Sequence, residues 1–195
     1  MAWIAVDTDQ NPGFTDTEKQ NNVAIIADFF RLLGWTDNAI SALCGNFDIE
    51  SYINPGQFEL YQNYSPYYGF GLVQWTPYTN YSSWAGADWR TNYTKQLERI
   101  KYELDNGLQW IPVSAYNYMT FQEFTESTDT PEYLVMAFEY SYERGTPFTS
   151  AREAAARKWY EYIITLPPPG QLPPWLIGVI TRRKRKKKEF YAKRR

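Results

Sequence analysis

Residues 48–77 read DIESYINPGQFELYQNYSPYYGFGLVQWTP. Upstream, Ala39, Ile40, Leu43, Cys44 and Phe47 recur at helical spacing behind Thr36, a good N-cap. They predict a helix that ends near Glu50 or Ser51, where Asn54-Pro55-Gly56 breaks it. Glu50 then falls in the last turn, three residues beyond Phe47 and seven beyond Leu43, at the edge of the buried stripe. Partial desolvation and the negative end of the helix dipole both disfavour its charged form, so a raised pKa is expected there. Asp48 points about 160° away around the helix and cannot share that environment. Most glutamates at helix ends are merely solvated, and position alone leaves that reading open.

The segment that follows has a different character. From Gln57 to Trp89 helical periodicity disappears and Tyr, Gly, Asn, Ser and Trp dominate, which predicts short strands and loops. Gly69 and Gly71 permit close backbone approach, so Gly71-Leu72-Val73-Gln74 is expected as a strand laid against the helix end. The whole chain holds 8 Trp, 17 Tyr and 11 Phe in 195 residues, more than a core of this size needs. Rings beyond that need suit a surface or cleft that stacks on flat ligands such as sugars.

Composition closes off several chemistries. There is no histidine, which excludes a Ser-His-Asp triad, a Cys-His pair and the usual His-containing zinc sites. Acid–base work falls to carboxylates, tyrosine or lysine, and neither a metal nor another cofactor is expected. The single cysteine, Cys44, sits in the apolar helical pattern and reads as a small buried hydrophobe. MAWIAVDTDQNPG shows no basic segment followed by an apolar run, so no secretory signal is read, and no stretch approaches the roughly 20 apolar residues of a membrane span. The expectation is a soluble protein made in a cytoplasm. The net charge of −2 hides two unlike parts. Residues 182–195, RRKRKKKEFYAKRR, carry ten Lys/Arg and one Glu, near +9; the remaining 10 basic and 21 acidic residues leave the body near −11.

The remaining helices have clear punctuation. Thr15-Asp16-Thr17-Glu18 is a capping box for a helix carrying Val23, Ile26, Phe30 and Leu33, with Gly34 as its stop. Further helices are predicted around Tyr93, Leu97, Ile100 and Leu104, and behind Thr130-Pro131 through Leu134, Ala137 and Phe138. A last one starts at the capping box Ser150-Ala151-Arg152-Glu153 and runs through Trp159 and Ile163. The organisation is an N-terminal arm over 1–14, one mainly α (α+β) domain over 15–166 with a small β/loop region around 57–89, a Pro-rich linker with a short apolar patch over 167–181, and the basic tail.

Glu50-Ser51-Tyr52-Ile53-Asn54-Pro55 followed by Gly71-Leu72-Val73-Gln74 resembles the signature of the lysozyme-like superfamily, shared by lytic transglycosylases and goose-type lysozymes. The set from Gly34-Trp35-Thr36-Asp37-Asn38-Ala39-Ile40 through Gly45-Asn46-Phe47 and Glu50 to Gly56, then Gly69 to Pro77, resembles more closely the phage tail-type lysozyme domain. Ser141-Tyr142-Glu143-Arg144 and Lys158-Trp159-Tyr160 also fit, so the similarity spans roughly Thr17 to Ile164.

The resemblance implies a lysozyme-like helical fold and a muralytic enzyme cutting the β-1,4 bond between N-acetylmuramic acid and N-acetylglucosamine. It also implies residence in a phage virion, at the tail tip among other tail proteins, opening the wall before DNA ejection. It makes Glu50 the general acid. Gln74, Thr76 and Tyr68 are candidates for orienting water or sugar. Glu143 is a candidate second carboxylate, although a glutamate beside an arginine at a helix end is more often one half of a structural ion pair, here with Arg144. Trp75, Tyr67, Tyr78, Tyr81, Trp84 and Asn54 are candidates for holding the glycan, about half of the rings touching sugar and the rest packing. Trp35 and Trp159 are assigned to packing. No peptide-cutting domain is read after the linker. The basic tail suits a polyanion such as teichoic acid or DNA, or serves as a solubilising extension. Hydrolase and lytic transglycosylase differ only in the final nucleophile and both remain open. So do two rival readings: a catalytically inactive structural or glycan-binding tail protein, and a free endolysin.

Overall fold

The structure, a computed structural model, describes residues 2–59, 67–145 and 149–169; most of the Pro-rich linker and the whole basic tail lie outside them. Among the described residues the domain is helical: α1 (Asp16–Arg31), α2 (Asp37–Ser51), α3 (Thr79–Ala85), α4 (Thr94–Asn106), α5 (Phe121–Glu126), α6 (Pro131–Phe138) and α7 (Thr149–Ile163). The Thr15/Glu18 capping box forms as the sequence predicts, and Thr36 and Thr130 cap α2 and α6 through their side chains. Helix α7 already includes Thr149 and Ser150, so Ser150 is not its cap. Thr120 and Glu123 form a further capping box, on the short helix α5.

Helix α2 is the axis of the fold. Ala39 to Phe47 are buried without interruption, and its largest interface is with α7, followed by α6. Gly45 makes this possible, because a Cβ there would stand 2.9 Å from the N, Cα and Cβ of Ala156. The two helices therefore meet backbone to backbone. Cys44 is fully buried beside this contact, and desolvation pushes its thiol well above the ordinary range. Around α2 the core is aromatic: Trp35 lies 4.2 Å from Phe30, Trp110 stacks on Phe121 at 4.8 Å, and Phe138 stacks on Tyr142 at 4.5 Å.

Residues 57–89 differ from the expected strands. Among the described residues pairing there is limited to isolated bridges, Thr8 with Gln57, Phe58 with Phe70 and Phe70 with Trp75, and 79–85 is helix α3. Gly71-Leu72-Val73-Gln74 is a tight turn: Gly71 has φ +84° and Gln74 has φ +48°, so the chain doubles back before a ladder can form. The turn is nevertheless pinned to the helix end. The Ser51 hydroxyl lies 2.9 Å from the Phe47 carbonyl and 3.1 Å from the Leu72 carbonyl. The buried Gln96 amide of α4 accepts from the Leu72 N–H at 2.8 Å and donates to the Pro55 carbonyl at 2.7 Å.

The arm before α1 is tied down by buried amides. Asn22 pairs with both backbone groups of Ile4, at 2.9 and 2.7 Å, and Asn54 pairs with both of Val6, at 3.1 and 2.7 Å. We expect Gly45→Val to force α2 and α7 apart and to lower unfolding free energy by about 3 kcal/mol in urea titration, as overpacking at a rigid backbone contact does.

Candidate active site

Glu50 ends up where α2 runs out, and the exit there is unusual. Tyr52 and Ile53 both adopt left-handed backbone conformations, φ 55° and 58°, although neither is glycine. Each such residue costs on the order of 1–2 kcal/mol. The compensation is visible: Tyr52 and Ile53 return their N–H groups to the Phe47 carbonyl, and Ile53 is fully buried. This turn throws Asn54-Pro55 under the Gln96 amide and leaves the Glu50 side chain about a quarter exposed.

Glu50 does not stand alone. Arg152 of α7, 2% exposed, donates to Glu50 Oε1 at 2.5 Å and to Asn46 Oδ1 at 2.8 Å, and it lies 3.1 Å from Glu139 Oε2. Asn46 is itself fully buried, and its Nδ2 donates to the Ala42 and Val135 carbonyls. Glu139 opens a single π-helical turn, Glu139–Glu143, that continues α6 and carries Glu143 toward Glu50. Asp48 is occupied elsewhere, by Lys19 at 2.5 Å and by the Trp159 indole N–H at 3.0 Å.

One cleft of about 410 Å³ gathers these elements, lined by Glu50 and Tyr52 from the α2 end, Gln74 and Thr76 from the turn, Glu143 from the π-turn, and Glu59 and Asp9 at its edge. Glu143 Oε1 is buried with no hydrogen-bond partner among the described residues. Burial, and then the neighbouring charges of Glu50 and Glu139, push its carboxyl well above the usual range against the opposing pull of Arg152. Glu139 is raised too, chiefly by burial. One guanidinium thus pairs with Glu50 and Glu139 while its charge also acts on Glu143.

The positions expected to form the site divide cleanly. Glu50, Gln74, Thr76 and Glu143 share the cleft. Gln74 is fixed by donating to the Gly71 carbonyl at 2.7 Å, and Thr76 by donating to the Gln74 carbonyl at 2.9 Å. The ion pair of Glu143 with Arg144 does not form. Asn54 is corrected from glycan contact to scaffold, because it is fully buried with its amide spent on Val6, Gly56 and Gln57.

Two of the expected stacking rings, Tyr81 and Trp75, need the same correction. Tyr81 is fully buried and stacks on Trp75 at 4.8 Å; Trp75 is 6% exposed, with its indole N–H given to Glu103. Tyr78 stacks on Trp89 at 5.4 Å, and Trp84 lies against both Tyr102 and the Arg99 guanidinium. Tyr68 and the 79%-exposed Tyr67 lie outside the cleft lining. Rings in this segment mostly pack on one another, since doing so buries more apolar area than a sugar face offers. Sequence reasoning missed Arg152, Glu139 and Asn46. Arg152 was legible only as part of a cap pattern, and nothing in its spacing discloses a partner 102 residues away.

The arrangement of a carboxyl at a strained helix end facing a polar turn across a cleft can be set beside known proteins. A family model described as phage tail lysozyme matches residues 21–163. The chain belongs to the phage tail lysozyme family. The tail lysozyme domain is also 41% identical over 143 residues to morphogenesis protein 1 of Bacillus phage B103; the match covers 72% of this chain and 38% of that protein, so the chain spans well under half the relative's length. Among the described residues no helix is long and apolar enough to cross a membrane.

Two outcomes follow from the charge cluster. Arg152→Met removes the guanidinium and strands Glu50 and Glu139, and we expect a loss of about 3–5 kcal/mol of stability by denaturant titration. Glu139 and Glu143 are raised in the folded state, so their contribution to stability is full below the ordinary glutamate range and is lost as pH rises through the raised values. Thermal unfolding of Glu143→Gln should therefore gain on wild type as pH rises across that window, and a constant difference between the two would contradict the raised pKa.

Proposed function

We propose that the tail lysozyme domain is a virion-associated peptidoglycan hydrolase that acts at a phage tail tip, cutting the MurNAc–GlcNAc β-1,4 bond to open the wall during DNA ejection. The supporting observation is the pairing of Glu50 and Glu143 in one polar cleft with Gln74 and Thr76. Glycosidic cleavage needs a carboxyl that is still protonated near neutral pH and a second group that stabilises positive charge or directs the nucleophile.

In this reading Glu50 is the acid. It delivers a proton to the glycosidic oxygen as the bond from that oxygen to the anomeric carbon breaks, and the carboxyl pair left behind faces the developing oxocarbenium ion with negative charge. Glu143 beside it, its carboxyl raised by burial, keeps its own proton through this step. A protonated Glu143 is no nucleophile, which favours attack by a water ordered by Gln74 and Thr76, or by the substrate's own acetamide. Water then restores the proton balance in the hydrolase; intramolecular attack would give an anhydro end instead.

The test is digestion of purified Gram-positive peptidoglycan by the full chain, reading reducing ends and fragment masses. Glu50→Gln should keep the fold by circular dichroism and lose at least about a hundredfold in rate. Should wild type and Glu50→Gln bind the wall equally and both leave it intact, the domain is a glycan-binding part of the tail and the catalytic assignment fails.

A further inference from the structure

Beside the Glu50 cleft, and sharing Val73, Gln74, Thr76 and Glu143 with it, lies a second, more enclosed cavity of about 260 Å³. Its remaining walls come from α4, the loop after it, α3 and the end of the π-turn: Arg99, Glu103, Gln109, Asn80 and Arg144, with Trp75 and Tyr142 also lining it. Nothing in the proposed cleavage step uses this space.

The charges in it do not balance. Glu103 is buried and fully committed, accepting from Arg99 Nε at 2.6 Å, from the Trp75 indole at 3.2 Å and from the Tyr142 hydroxyl. Arg99 is thereby neutralised, with its guanidinium against the rings of Trp84 and Tyr102. Arg144 has no such partner. It is exposed, sits in a left-handed conformation that closes the π-turn, and donates NH1 to the Gln109 carbonyl at 2.6 Å; it makes no ion pair with a described residue. That bond leaves the rest of a planar fork free at the cavity, beside the Gln109 side chain, whose Nε2 is held on the Tyr142 carbonyl at 3.0 Å. The buried, unpartnered Oε1 of Glu143 borders the same space. A free guanidinium in a polar recess is out of keeping with a body that carries 21 acidic and 10 basic residues before residue 182.

We propose that this recess is a carboxylate subsite, in which Arg144, with the amides of Gln109 and Asn80, receives an acidic residue of the peptide that branches from the glycan strand. The inference rests on the muralytic reading above, because it is that reading which lays a glycan along the Glu50 cleft. A recess that shares Val73, Gln74, Thr76 and Glu143 with the cleft is near enough to take a substituent of the sugar bound there. A guanidinium fork matches a carboxylate bidentately, and neighbouring amides match a peptide's own donors and acceptors. Glu143, common to both cavities, would couple occupancy of the recess to the carboxyl pair.

Calorimetric titration of the full chain with two soluble fragments tests this: a peptidoglycan disaccharide carrying its peptide, and the same disaccharide freed of peptide. The expected result is about tenfold tighter binding of the peptide-bearing fragment to wild type, the worth of one charge-assisted pair. That preference should vanish in Arg144→Gln and return in part in Arg144→Lys, while affinity for the bare disaccharide moves less than about twofold. Equal affinity of wild type for the two fragments, equal weakening of both by Arg144→Gln, or no detectable binding of either would overturn the subsite. The two readings separate: a protein that prefers the peptide-bearing fragment yet cuts no wall keeps the recess and loses the hydrolase, and one that cuts without preference does the reverse.

Discussion

The site depends on one buried guanidinium. Arg152 is 2% exposed and stands among Asn46, Glu50 and Glu139, groups from α2 and from the turn that ends α6. An unpaired arginine at that depth would be prohibitively desolvated, and so would the carboxylates without it. Each partner therefore justifies the burial of the others, and the position of Glu50 relative to the cleft is set by a residue on a different helix. Because one positive charge faces three carboxyl groups, the cluster is under-neutralised. The imbalance falls on Glu139 and Glu143, whose carboxyls are raised chiefly by burial.

The guanidinium reaches its partners only because α2 and α7 lie unusually close. Gly45 removes the Cβ that would strike Ala156, and Arg152 is one helical turn before Ala156. The same α2 that supplies Gly45 supplies Asn46 and Glu50, so the packing contact and the contacts that place Glu50 are made by one helix. At the other end of α2, the left-handed Tyr52 and Ile53 and the Gln96 clamp hold the polar turn carrying Gln74 and Thr76 at the cleft. Strain in that corner is offset by burial of Ile53 and by the satisfied amides of Asn22 and Asn54.

Much of this was legible from local signals and much was not, for identifiable reasons. Thr15, Thr36 and Thr130 announce helix starts because a capping side chain acts within three residues, and the apolar periodicity of α2 places Glu50 in its last turn. Gln74, Thr76 and Glu143 were reachable through the ordered motifs around them. Residues 57–89 misled, because Tyr- and Gly-rich composition is shared by strands and by tightly turned coil, and only the backbone angles at Gly71 and Gln74 distinguish them. The Arg152 cluster was invisible, since burial of a charge is decided by partners from three elements at once. Thr149 and Ser150 lie inside α7, so even the capping pattern that drew attention to Arg152 was not acting as a cap.

The aromatic excess has a different meaning from the one composition suggests. Phe58, Phe70, Trp75, Tyr81 and Trp89 form a continuous chain of ring contacts, with centroid separations between 4.7 and 6.4 Å, and so supply in a strand-poor segment the cohesion that a sheet would otherwise provide. Their polar edges are used the same way: Trp75 and Tyr142 both turn their donors onto Glu103, which ties the loop segment to α4 and to the π-turn. What remains to face a substrate is then mostly carboxyl, amide, hydroxyl and guanidinium groups. A cleft of that composition discriminates by hydrogen bonds that go unpaired with the wrong ligand, a steeper penalty than the loss of a stacking face. The rings build the wall on which those polar groups are mounted.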